Sequence, residues 1–163
     1  MNIKLQSIYK YDCYRDGKLI WTEEKPNLVT NQGVEYAMAL IFDQGLEATK
    51  PEFYCGLITG TLYPIVEDTM QSHVFTEFLG YTAATRAATE FQKVEGQVAT
   101  YLSNEVSRFY MKEPGSIRGA FLTTGVEKGG ADGYLYGASV FDTFRQVVAG
   151  DLLRVSITVR ATG

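Results

Sequence analysis

One histidine, one tryptophan, two cysteines and four prolines are all this 163-residue chain holds of those types. Each scarcity narrows the chemistry. With His73 the single imidazole, any Ser-His-Asp or Cys-His arrangement must run through it. Cys13 and Cys55 lie far apart with no CxxC spacing. That pattern leaves a bridge between them open, but two isolated thiols are expected as small buried hydrophobes. Long apolar runs are also missing. The longest, Tyr36–Phe42, is far short of the roughly 20 residues that span a bilayer, so no membrane association is expected. The start, Met1-Asn2-Ile3-Lys4, has no apolar stretch behind its charge, and no signal peptide is expected. Basic clusters are absent too. Fifteen Lys and Arg stand against nineteen Asp and Glu, giving net −4, and Arg86, Lys93, Arg108, Lys112, Arg118 and Lys128 are spread singly. Nucleic-acid binders need a basic stripe that displaces counterions from phosphates, so no nucleic-acid partner is expected.

What is present is apolar and aromatic. The chain is 45% hydrophobic and 13% aromatic, with eleven Tyr and nine Phe. For 18.1 kDa, surface scaling gives about 8,000 Å² exposed when folded against about 26,000 Å² when extended. Such a chain can bury a core without a metal or disulfide.

Residues 1–25 read as a β-hairpin arm. Tyr9–Arg15 and Lys18–Glu23 flank Asp16-Gly17, a pair that supplies the positive φ values of a tight turn. Residues 26–163 read as the main domain. It begins with one short helix, in which Val34, Ala37/Met38 and Ile41 recur at the spacing of a single apolar face. Thr30 or Asn31 can cap its start and Gly45 its end. Thereafter the pattern is β: Phe53–Thr59, Glu90–Val94, Val98–Leu102, Glu105–Met111, Ile117–Thr123 and Tyr134–Phe141. In the last strand Leu153, Val155, Ile157 and Val159 alternate with polar residues. These strands predict a mainly β fold, an antiparallel sandwich of jelly-roll-like type. Leu57, Phe121, Leu153, Val155, Ile157 and Val159 are expected to face its interior.

No catalytic constellation emerges. His73 with Asp68 and Glu77 has donors for a mixed N/O metal site. The plainer reading is a surface loop in which Asp68 caps a turn, and no metal or cofactor is expected. Gly129-Gly130-x-x-Gly133 could cradle a phosphate only ahead of a helix N-terminus. A strand follows it, so residues 124–133, with four glycines, predict a flexible hairpin loop. Glu23-Glu24 and Glu67-Asp68 are adjacent, which sends their carboxylates apart in extended chain. No enzymatic activity is expected. A two-stranded hairpin cannot bury Tyr11, Tyr14 and Trp21 by itself, so these are expected to touch a partner. Lys128 and Asp132 join them, because loops on a rigid scaffold make contacts.

Several segments, in order, resemble small proteins of tailed-bacteriophage structural gene clusters. They are Pro26–Gly33, Phe53–Ile58, Asp68-Thr69-Met70, Tyr81 with Ala84-Thr85-Arg86, Ile117–Thr123, Lys128-Gly129-Gly130 and Val147–Val155. The family comprises head decoration (cement) proteins, some labelled tail-fibre proteins. The resemblance implies a capsid-stabilising structural protein made in the host cytoplasm and placed on the capsid surface of the virion. Its partners would be the major capsid protein and other copies of itself, as dimer or trimer. The alternative it implies is a tail or tail-fibre component contacting host surface glycans. It implies no catalytic residues.

Overall fold

Strands alternate with tight turns from the first described residue. The computed structural model describes residues 4–46, 50–103 and 107–163. In chain order the elements are β1 (Lys4–Arg15), β2 (Lys18–Pro26), β3 (Leu28–Val29), α1 (Asn31–Phe42), β4 (Phe53–Thr59), β5 (Thr76–Phe78) and β6 (Ala87–Thr89). They continue with β7 (Phe91–Lys93), β8 (Thr100–Ser103), β9 (Ser107–Tyr110), β10 (Gly115–Thr123), β11 (Leu135–Val147) and β12 (Leu152–Thr162). One sheet runs β2-β1-β12-β8-β7, with β9 also on β12; the other runs β3-β11-β10-β4-β5, with β6 also on β4. The two antiparallel sheets form a β-sandwich.

The core follows from alternation along β1 and β12. Tyr9, Tyr11, Cys13, Leu153, Val155 and Ile157 are fully buried and meet Cys55, Leu57, Ile117, Leu122 and Phe141 of the facing sheet. Tyr11 meets the Phe141 ring edge-on at 4.6 Å. Each such side chain removed from water stabilises the fold by about 1.5–3 kcal/mol. Val159 packs at the margin of this core.

Phe121 departs from the expected placement. It is buried, but on the opposite face of its sheet, in a second core with Ile58, Met70, Phe75, Leu135 and Ala138. The chain between β4 and β5 contributes Met70 and Phe75 to this second core. The sheet of β10 is thus covered on both faces, and β10 is buried continuously from Ile117 to Thr123. Period-2 alternation vanishes in a strand with no solvent face, so Leu122 rather than Phe121 points between the sheets.

The N-terminal hairpin has its expected turn: Asp16 and Gly17 adopt φ of 51° and 75°. It is not an arm, however. β1 pairs along almost its full length with β12, from Lys4 opposite Thr162 to Tyr14 opposite Leu152, and carries β2 on its other edge. Residues 4–26 therefore belong to the sandwich itself. An aromatic strand needs two neighbours and an apolar face beneath it, and β12 supplies what a lone hairpin lacks.

The helix is present, capped by the Thr30 side chain, which accepts from Gly33 N–H. It closes on Asp43, whose N–H donates to Ala39 O, so Gly45 lies beyond the cap. Its packed side is not the expected one. Gly33, Tyr36, Ala37 and Leu40 are buried or half-buried, while Val34, Met38, Ile41 and Phe42 are exposed. Both stripes are apolar, and periodicity alone could not rank them. The strand expected over Glu105–Met111 appears as β9, and Glu105 lies outside the described residues. β3, β5 and β6 were not anticipated.

Candidate partner-binding loop

Residues 124–133 connect β10 to β11 and carry Lys128 and Asp132. Their glycine content predicts flexibility, yet they are tied down along their whole length. The organising side chain is Arg86, wholly withdrawn from water. Its Nε and Nη2 donate to the two carboxylate oxygens of Glu77 at 2.9 and 2.8 Å. Nη1 and Nη2 also donate to Gly125 O and Gly130 O, each at 2.9 Å. The guanidinium also lies 5.2 Å from the centre of the Phe121 ring. A planar fork with five donors suits this task, because one group can bond a carboxylate bidentately and still bond carbonyls on its other edges.

Glu77 completes the clasp. It stands on β5, opposite Ile58 of β4, and accepts a further bond from Gly129 N–H at 3.0 Å. The start and the middle of the loop are thereby tied to one buried ion pair. Gly125 is required by proximity, since a Cβ there would stand 2.1 Å from Asp132 O. Lys128 holds the outer edge: its Nζ donates to Tyr81 O and Ala83 O at 2.9 and 2.7 Å and lies 4.2 Å over the Tyr81 ring. Burial, and then the charge of Lys112, pull its ammonium below the usual range.

The far side of the loop is held by two glutamines. Gln71 donates to Ala131 O and Gly133 O at 2.8 and 2.9 Å. Gln32, in the first turn of α1, donates to Gln71 and accepts from Met70 N–H and Leu135 N–H. Tyr134 stacks on Tyr36 of α1 with ring centres 4.3 Å apart. The loop, the start of the helix and the chain around Gln71 form one braced surface. Val126, Glu127, Ala131, Asp132 and Tyr134 remain exposed on it.

The five expected contact residues divide. Asp132 is exposed on the loop, and Lys128 is half-buried as a strut. Tyr14 is half-buried on the outer face of the β1–β12 sheet, under the Arg154 guanidinium at 5.2 Å. Trp21 is half-buried, packed against the core, and meets Phe141 edge-on at 5.9 Å. Tyr11 is corrected outright: it is fully buried between the sheets, where β12 and β11 give it the cover a lone hairpin lacks. The structure therefore joins only Lys128 and Asp132 in one site.

His73, Asp68 and Glu77 do not converge. His73 Nδ1 lies 2.8 Å from Phe75 O, and its ring stacks on Phe75. Asp68 is buried and accepts from Ile65 N–H and Val74 N–H, closing a surface loop in which Ile65, Val66, Glu67, Gln71, Ser72 and Val74 are exposed. Glu77 is committed to Arg86. Among the described residues, no group of three or more His, Cys, Asp or Glu is placed to hold a metal ion. Both thiols are free and buried.

The pairing of Arg86 with Glu77 and the bracing roles of Gln32 and Gln71 escaped sequence reasoning. Each stands singly in its segment, and the separation of Glu77 from Arg86 follows no helical or strand period. No family model matches the chain, and no curated protein or solved structure matches it.

Proposed function

We propose that this protein is a structural component of a tailed-phage virion, a decoration protein that docks on the outer capsid surface and stabilises the shell. The observation that carries this reading is the braced 124–133 loop. Ten residues rich in glycine are held by a buried ion pair, a lysine strut and a glutamine pair, while their outer side chains stay free. Such a loop meets a partner with little ordering left to do, so less of the contact energy is lost on binding. The segments that resemble decoration proteins include Ala84-Thr85-Arg86 and Lys128-Gly129-Gly130, which here are parts of this clasp. The major capsid protein is the proposed partner, and the capsid surface the proposed location.

Decoration acts by mass action. A protein that binds the closed shell and not its open form stabilises the closed form by the binding free energy. A micromolar site supplies about 8 kcal/mol at standard state, repeated over every copy. Co-sedimentation with purified empty heads of the phage that carries this gene tests the reading. Saturable binding is expected, weakened by Tyr134→Ala and by Asp132→Lys. Heads stripped of the protein should release DNA at lower temperature and recover on its return. Stripped heads as heat-resistant as complete ones would overturn the proposal.

A second reading, a tail or fibre component that contacts host glycans, draws on a different feature. A hollow of about 450 Å³ is lined by Lys50, Glu52, Tyr54 and Glu90 around Phe53 and Phe91. Aromatic faces beside carboxylates suit sugar rings. Binding to host-surface glycans that is lost in Phe91→Ala, with no binding to heads, would favour this reading over the first.

A further inference from the structure

We propose that copies of this chain associate head to tail, with α1 of one copy seated on the outer face of the β1–β12 sheet of the next. The proposal goes beyond the capsid reading and needs no capsid.

Helix α1 is apolar nearly all round. Its buried side packs on the sandwich through Gly33 and Tyr36. Its other side leaves Val34 44%, Met38 50%, Ile41 71% and Phe42 68% exposed, in one stripe at i, i+4, i+7 and i+8. Val66, also exposed, is held at the helix start by its carbonyl, which accepts from Asn31 N–H at 2.8 Å. An exposed helix stripe of this kind marks a protein contact.

Charge selects the occupant. From residue 26 to residue 85 the sequence has seven acids and one base, Lys50. The acids exposed around the helix are Glu35, Asp43 and Glu67. The remaining residues carry fourteen bases and twelve acids, since 15 − 1 = 14 and 19 − 7 = 12. A second helix stripe laid on the first would set acid against acid.

The complementary surface is on the same molecule. With Tyr9, Tyr11, Leu153, Val155 and Ile157 turned inward, the alternate positions of β1 and β12 face out. Ile8 and Leu102 stand exposed there on either side of Thr158, between Lys10 and Arg160, and Tyr110 lies beyond Arg154 and Arg108. Among the described residues two acids, Asp12 and Glu24, share the face; Asp12 accepts from Thr22 Oγ1 at 2.8 Å. Arg154 stands directly opposite Arg108 across the β12–β9 pair. Asp12 stands opposite Arg154 and Glu24 opposite Lys10, which leaves Arg108 and Arg160, with no acid directly opposite them, to face an acidic partner. An apolar stripe flanked by acids thus meets Ile8 and Leu102 flanked by Lys10 and Arg160. The two faces differ, so the contact is heterologous and propagates or closes into a ring. The helix stripe with Val66 forms an exposed apolar surface of the kind that, at about 300–600 Å² on a typical monomer, is often functional. A polar rim brings it toward the about 800 Å² per partner of a specific interface.

The test is sedimentation velocity of the purified chain up to roughly 100 µM, at low and high salt. Concentration-dependent association that weakens at high salt is expected. Ile41→Ser with Phe42→Ser disables one face, and Lys10→Glu with Arg108→Glu disables the other; all four side chains are exposed, so both variants should fold. Each alone should stay monomeric. Mixed in equal amounts they should form a one-to-one complex of doubled mass, because each keeps one intact face. A wild-type chain that remains monomeric at low salt overturns the proposal. So does a mixture that stays monomeric while the wild type associates, or a variant that associates like the wild type.

Discussion

Arg86 and Glu77 form a bidentate ion pair at 2.8–2.9 Å with neither side chain appreciably exposed, and the pair also binds three backbone groups of one glycine-rich loop. Two charges out of water are tolerated only when nearly every donor and lone pair is used. Here that condition is met by the loop itself, so the pair and the loop conformation depend on each other. Rigidity in a segment composed for flexibility is the consequence.

Glu77→Gln and Arg86→Met should each destabilise the fold by about 3–5 kcal/mol, since each leaves the other charge buried without its partner. The double variant should recover part of that loss. Urea unfolding of the three variants measures it. Additive losses would show that the two side chains do not act as a pair.

Acid should weaken the turn between β11 and β12. The Arg15 guanidinium, bonding both oxygens of Asp151 at 2.8 and 2.9 Å, holds its carboxyl below the usual range, and Val148 N–H adds a third bond. A carboxyl depressed in the folded state contributes stability above the ordinary carboxylate pKa of about 4, and that contribution is lost as pH falls through the folded value. Asp151→Asn should be less stable at pH 7 and show a shallower fall in urea midpoint between pH 5 and pH 2. Parallel curves for the two proteins would refute the assignment.

The thiols should be inert in the native state. Burial, and then the charge of Asp151, push Cys13 up to about 12, and burial raises Cys55 as well. Only thiolate reacts at an appreciable rate. A thiol reagent at pH 8 should therefore label neither residue until denaturant is added. Prompt labelling of two thiols in the folded protein would mean the sheets open far more readily than their packing implies.

Removing residues 1–25 should unfold the protein rather than trim it. β1 contributes Tyr9, Tyr11 and Cys13 to the core and lies between β2 and β12 in the sheet. Val155→Asp or Ile157→Asp should have the same effect, because an unpaired carboxylate in an apolar core costs several kcal/mol. Circular dichroism and heat denaturation check both. A truncated chain with a cooperative transition would restore the view of the hairpin as an arm.

Local structure was written plainly in the sequence. Asp16-Gly17 demanded a hairpin turn, the alternation from Leu153 to Val159 demanded a strand with one face to the core, and the run Phe53–Thr59 came out with its expected bounds. These features depend on a residue's own φ preference or on a period of two, and both are readable within a few positions. The tertiary structure decided what those elements meet. It placed β12 beside β1 and so turned Tyr11 from a candidate contact into core; it covered both faces of β10 and so sent Phe121 away from the sandwich interior. It chose which of two apolar stripes α1 would bury, and it carried Arg86 to Glu77 and to the backbone of the 124–133 loop. Composition assigns that loop freedom because glycine widens the conformations of an isolated chain. Bonds from side chains far away in sequence removed that freedom, and only the folded chain brings those donors within reach.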